Sequence, residues 1–360
     1  MTLSNIFFGK KVVQQAYLNN ALIYQSKGWE TLPSTCMEEW TKDYDDATSY
    51  IYDCAIDLDN KIYVVSNNGK NNVIKLDSDG KIIWKKYYKD ANHVKIDSNN
   101  NAFIVSYTDD SYHQITISKL DSNGNGESVN VGKVIQNFNL NNCKDFVVDD
   151  DFFFFSCYEL SSSYFYKLVV TDKKGNLLNY KTVDSNVNCI GSDNNRYLYY
   201  SDGHQLFRIN KKDLTNNVQI NSNVGNSSDG DYIKKITIDS LGNIICMTTS
   251  SGAIAIDRLG KQIAKYDFSS YSSPYMCIDY RGNIYGFSAV NNKSEDIFTK
   301  YSSDSTLIFK TETLNITRDG YNNNSFNNLV TDYYGNIYYL YCFENELTIK
   351  KLINIEKKGN

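Results

Sequence analysis

One phrase, repeated seven times along the chain, predicts an all-β fold: a seven-bladed β-propeller of four-stranded antiparallel blades, closed by an N-terminal strand and preceded by a small β-meander. In each copy an apolar strand runs into Asp, a short polar turn follows, often with Gly-Asn, and an aromatic or β-branched strand begins. The anchors are Asp57, Asp97, Asp149, Asp193, Asp239, Asp279 and Asp332, spaced by 40, 52, 44, 46, 40 and 53 residues. Blades of roughly 40–45 residues repeat at this period. Composition agrees: 30 Tyr and 17 Phe suit strands, and only 2 Pro interrupt them.

The elements follow in order. Residues 1–35 stand outside the repeat and read as an attachment module and linker. Strands are expected at 5–8, 11–18 and 21–25, with turns at Gly9-Lys10 and Asn19-Asn20 and a linker over 26–34. A unit this small cannot bury a core alone, so it should dock on the propeller or on another protein. The propeller itself is expected over 36–360. Its first repeat shows four strands, at 54–58, 61–66, 72–77 and 81–88, with the hairpin signal Asp79-Gly80 before the last. The second hairpin recurs after Lys119, Val170 and Ile256.

The last repeat is one strand short, with strands at 328–332, 336–341 and 346–352. Trp40, Tyr44 and Ala47 match the spacing of Trp84, Tyr88 and Ala91, which end the first repeat. Residues 38–46 are therefore predicted as the outermost strand of blade seven, closing the ring and tying up its ends. The aromatic runs 152–155 and 197–200 belong to the core, since each blade packs against neighbours on both faces.

Composition excludes several functions. Net charge is −5 and no basic run is longer than a pair such as Lys357-Lys358 in the tail, so no nucleic-acid partner is expected. Nowhere do 18 apolar residues run together, so no membrane insertion is expected. The first residues lack a signal-peptide pattern, which implies synthesis in a cytoplasm. Of the 8 Cys, Cys54, Cys189 and Cys277 fall in first strands, and Cys157, Cys246 and Cys342 in or after second strands. No CxxC pair occurs, so they read as small buried hydrophobes, with no metal site.

Catalytic patterns are missing. The 3 His (His93, His113 and His204) form no HxH or HExxH motif, and no GxSxG occurs. The anchor aspartates repeat in every blade, which fits turn capping better than catalysis. The loop from Asp121 to Glu127 begins like a calcium loop, but its twelfth position is Gly132, so a hairpin turn is the better reading. Neither catalytic residue nor cofactor is expected.

What remains is loops. The first-to-second and third-to-fourth turns share one face and are short. The others share the opposite face and vary: 107–114, 131–142, 158–164, 218–231, 269–275, 289–296 and 317–326. They are rich in Tyr, Asn, Asp and Ser, which suit sugar hydroxyls and apolar sugar faces. Tyr107, Asp110, Tyr112, His113, Tyr158, Tyr271 and Tyr321 are the candidate ligand-binding residues.

The stretch NIFFGKKVVQQAYLNNALIYQS resembles the N-terminal pattern of tail and baseplate proteins of phages that infect Gram-positive bacteria. The resemblance covers about the first 25 residues. It implies attachment to a virion through Phe7, Phe8, Tyr17, Leu18, Ile23 and Tyr24, with other tail or baseplate proteins as partners. The repeats resemble quinoprotein-like and lactonase-like propellers. Their Trp docking motif is absent except at Trp40 and Trp84, so this resemblance implies fold and not a quinone cofactor. Together these readings predict a virion protein whose propeller loops bind a host cell-wall polysaccharide or teichoic acid. The alternatives are a structural decoration or protein–protein hub, and a lactonase- or hydrolase-like enzyme with a central metal.

Overall fold

A computed structural model describes residues 6–8, 11–13, 15–18, 21–25, 35–44, 50–107, 115–131, 140–159, 165–183, 187–193, 195–221, 224, 231–239, 241–249, 252–268, 272–279, 281–289, 296–303, 305–314, 328–343 and 346–355. They form seven four-stranded antiparallel sheets and two short hairpins. Blade one is Ile51–Ile56, Ile62–Ser66, Val73–Leu76 and Ile82–Lys86. Blade two is His93–Ile96, Ala102–Tyr107, Ile115–Leu120 and Gly126–Asn130. Blade three is Leu140–Val148, Phe152–Glu159, Phe165–Asp172 and Leu177–Val183. Blade four is Ile190–Ser192, Tyr197–Ser201, Leu206–Asn210 and Val218–Asn221. Blade five is Ile233–Ile238, Ile244–Thr248, Gly252–Ile256 and Gln262–Asp267. Blade six is Ser272–Ile278, Ile284–Ala289, Asp296–Tyr301 and Leu307–Leu314.

Blade seven takes three strands from the C-terminal end, Asn328–Thr331, Ile337–Phe343 and Glu346–Ile355. Its fourth is Thr35–Tyr44, paired from Thr35 with Ile355 to Tyr44 with Leu347. Ring closure by an N-terminal strand is therefore a feature of the fold. Side chains reinforce the seam: Thr348 donates to Asp43 at 2.7 Å, and Lys351 pairs with Glu39 at 2.7 Å.

Burial follows radial position. The second strands Ile62–Ser66 and Ile244–Thr248 are buried at every residue, whereas the outermost strand Gln262–Asp267 alternates. Hydrophobic packing is divided into seven clusters, one between each pair of successive blades. Strand alternation feeds two clusters at once: Phe153 and Phe155 pack toward blade two, and Phe154 toward blade four.

The anchors are turn caps. Asp279 Oδ1 accepts the backbone N–H of Arg281 (2.9 Å) and Asn283 (3.0 Å), and Oδ2 accepts from the Asn283 amide (2.8 Å) and the Tyr285 hydroxyl (2.9 Å). Each of the other six accepts backbone N–H groups two and three or four residues on. In the Gly-Asn copies Gly supplies the left-handed residue, as Gly282 does at φ 83°, and Asn returns to cap the same Asp. The third-to-fourth turns reuse the device at Asp77, Asp121, Asp172 and Asp257. Asp121 thus caps a hairpin, accepting from the N–H groups of Asn123 and Asn125 at 2.8 Å each.

Two expectations are corrected. The N-terminal meander is two separate hairpins, Ile6–Phe8 with Lys11–Val13 and Gln15–Leu18 with Ala21–Gln25. Each turn pairs only the strands that flank it, so the single strand expected over 11–18 divides between two partners. The expected loop 218–231 also begins as strand: Val218–Asn221 pairs with Leu206–Arg208 and forms the outer edge of blade four.

Candidate functional site

The predicted ligand-binding residues do not form one described cluster. Tyr107 is inside, 5% exposed, at the end of a second strand. Its hydroxyl accepts from the Cys143 N–H at 2.9 Å and the Asn92 amide at 3.2 Å, which pins blade two to blade three. Burial pushes its phenol well above the ordinary range. Tyr107 is thus corrected from a loop-surface residue to a structural one, because the strand carries it under its neighbour. Tyr158 lies in the strand Phe152–Glu159, paired with Tyr166. Asp110, Tyr112, His113, Tyr271 and Tyr321 lie outside the described residues. Phe7 pairs with Val12 and Phe8 with Lys11 in the first hairpin, and Tyr17 with Leu22, Leu18 with Ala21 and Tyr24 with Ala16 in the second, which also holds Ile23.

The chemistry that the structure does gather lies around the axis. The position four residues before each anchor places Asp53, His93, Asp145, Cys189, Lys235, Tyr275 and Asn328 at equivalent places in or beside the seven first strands. On one side the charges are spent. Asp53 Oδ2 accepts from Lys95 Nζ at 2.7 Å and the Val94 N–H at 3.2 Å, and lies 3.6 Å from His93 Nδ1. Asp53 Oδ1 accepts from the Cys54 N–H. Burial by itself would raise the Asp53 carboxyl, but Lys95 and His93 outweigh it and hold it well below the usual carboxylate range. Burial opposes the charge on His93 as well, yet the Asp53 carboxylate and the Cys143 side chain hold the imidazole up at about 10. Asp145 repeats the design two blades on, accepting from the N–H groups of Phe146 and Ile190. These acids link successive blades.

The other side is different. Lys235 of blade five shares a half-open cavity of about 170 Å³ with Ile56 of blade one. Blades six and seven stand between these two in sequence and contribute Cys277 and Thr331, so the cavity lies against the axis. Its neighbour Lys234 sits 5.0 Å over the Tyr275 ring. Burial and the charge of Lys235 push the Lys234 amine down to about 8. The nearby thiols are not activated: burial and Asp53 push Cys54 up to about 12, and burial pushes Cys277 well above its ordinary value. The site offers positive charge and a small cavity. Among the described residues no group of three or more His, Cys, Asp or Glu could hold a metal ion.

Sequence reasoning passed over Asp53, Lys95 and Lys235 and left His93 without a role. The available signal was register: three of the four stand four residues before an anchor, and Lys95 stands two before.

No family model and no curated protein matches the chain. Solved structures define its class as a β-propeller. It is similar to the WD40 domain of coronin from Toxoplasma gondii (TM-score 0.54, 11% identity, covering 91% of this chain and 88% of that one). It is similar to the CNH domain of AfRom2 (TM-score 0.55, 8% identity, 90% and 100% covered). It is similar also to the Dos1 propeller (TM-score 0.54, 10% identity, 86% and 80% covered). At such identities the likeness concerns the fold alone.

Proposed function

We propose that the chain is a phage virion protein of the tail or baseplate, attached through its N-terminal segment and binding a host-surface glycopolymer through its propeller loops. The carrying observation is the division of labour at the N-terminus. The strand Thr35–Tyr44 completes the ring, while the strands before it, with the phage-like sequence, pair with each other in hairpins of their own. A segment that the ring does not use for closure is available for attachment. The strand ends that the longer non-repeating loops join lie opposite the capped Asp turns, which suits recognition on a rigid scaffold.

The test is a sedimentation assay of the labelled full chain with Gram-positive cell walls, before and after chemical removal of wall glycopolymer, beside a pull-down with purified tail proteins. Binding to intact walls and its loss from stripped walls support the reading. Capture by tail proteins with no wall binding points to a structural hub instead. No binding in either arm removes both roles.

A further inference from the structure

The charged groups around the axis are unevenly compensated. Asp53 is satisfied by Lys95, His93 and two backbone N–H groups, and Asp145 by two backbone N–H groups. Asp231, beside Lys234, accepts from the Thr249 hydroxyl at 3.0 Å. Lys235 is solvent-exposed, has no hydrogen-bond or ion-pair partner among the described residues, and lines the axial cavity. Burial first, and the charge of Lys235 after it, lower the neighbouring Lys234 amine. Apart from Lys235, Thr237 and Thr331 the wall is apolar, with Ile56, Met247, Cys277, Ile278, Leu329 and Val330. Thr331 spends its hydroxyl hydrogen on the Ile278 carbonyl at 3.0 Å.

A lone cation at an apolar wall selects against two kinds of occupant. A strongly hydrated inorganic anion would pair with Lys235 but leave the apolar wall facing its water shell. A neutral alkyl group would cover the wall but gain nothing from the hydrated ammonium. We infer that the axial cavity binds a small aliphatic carboxylate, its oxygens on Lys235 Nζ and its alkyl tail against Ile56, Met247, Leu329 and Val330. The size agrees: a cavity near 150 Å³ holds a benzene-sized molecule, so about 170 Å³ takes about six heavy atoms, the size of butyrate. This site is independent of the host-surface reading.

The test is calorimetric titration of the full chain with sodium butyrate at constant ionic strength, with butanol and inorganic phosphate as companion probes. For a ligand of this size saturable binding is expected with Kd roughly millimolar. Butanol should bind at least about tenfold more weakly, because it lacks the charge-assisted hydrogen bond. Lys235→Met should weaken butyrate by about tenfold or more, while Lys235→Arg keeps binding within a few-fold. Unchanged melting of both variants establishes that the fold is intact. The inference is overturned if butanol matches butyrate, if phosphate binds more tightly than butyrate, if Lys235→Met binds as the parent does, or if butyrate shows no saturable binding at several times the expected concentration.

Discussion

The Tyr44 hydroxyl donates a 2.7 Å hydrogen bond to the carbonyl of Gly80, joining the closing strand of blade seven to the outer turn of blade one. Tyr88 repeats it on Gly124 at 2.7 Å, one blade on. In each case a Trp four residues earlier lies over the same glycine: a Cβ on Gly80 would come 2.7 Å from the Trp40 ring, and one on Gly124 2.7 Å from Trp84. Farther round the ring other residues fill the place. Val129 packs on Gly175, and Tyr266 donates to the Ser303 carbonyl at 2.8 Å. The contact persists where the tryptophan does not.

Gly80→Ala should destabilise the chain by about 2–4 kcal/mol, through the left-handed backbone at φ 73° and the clash with Trp40 and Tyr44. Tyr44→Phe, which removes only the hydrogen bond, should cost about 1 kcal/mol. Urea unfolding gives both values. Equal stabilities of Gly80→Ala and the parent would sink the clasp.

Truncation separates closure from attachment. A chain beginning at Thr35 should fold with near-parental melting. A chain beginning at Tyr50 should lose blade seven's outer strand and expose Glu346–Ile355 as a 10-residue edge, a template for aggregation. Size-exclusion chromatography distinguishes the two, and a monodisperse, stable chain from Tyr50 would refute closure by this strand.

The axial His93 makes stability depend on pH. Its folded value is about 10 against an ordinary 6.5. Its contribution is therefore whole below pH 6.5, declines above that, and is gone beyond about 10. Asp53 runs oppositely: its depressed value means a contribution present above 3.8 and lost as the pH falls. His93→Gln should be less stable than the parent by about 1–3 kcal/mol at the low end of the His93 window, with the gap closing as the pH climbs. A gap that stays constant from pH 6.5 to about 10 counts against the charged imidazole.

If the anchors are caps, their loss should act on stability first. Asp279→Ala strips acceptors from two backbone N–H groups, the Asn283 amide and the Tyr285 hydroxyl, and should cost about 2–4 kcal/mol. Asp257→Ala, in a more exposed outer turn with two backbone bonds, should cost about 1 kcal/mol. Equal, negligible losses in thermal unfolding would leave the anchors without the capping role.

Much of this fold was legible because it rests on local chemistry repeated in register. Asp279 caps its turn with residues two to six positions away, so the motif is written in one short stretch. Trp40 and Tyr44 revealed the closing strand because the clasp on Gly80 copies the one on Gly124. The N-terminal segment was read with the right neighbours but with one middle strand over 11–18, whose halves Lys11–Val13 and Gln15–Leu18 bond in two separate hairpins.

By itself the sequence determined the blade count, the closing strand, the Asp turns and the burial of the aromatic runs, all of which depend on neighbours in the chain or on a repeated pattern. Tertiary structure alone decided that Tyr107 turns inward to hold Cys143, that Asp53 meets Lys95 and His93, and that Lys235 shares a cavity with Ile56. These residues are separated by roughly one blade or more of sequence. Only closing the ring brings the first strands around one axis, where a register position shared by seven repeats becomes a site.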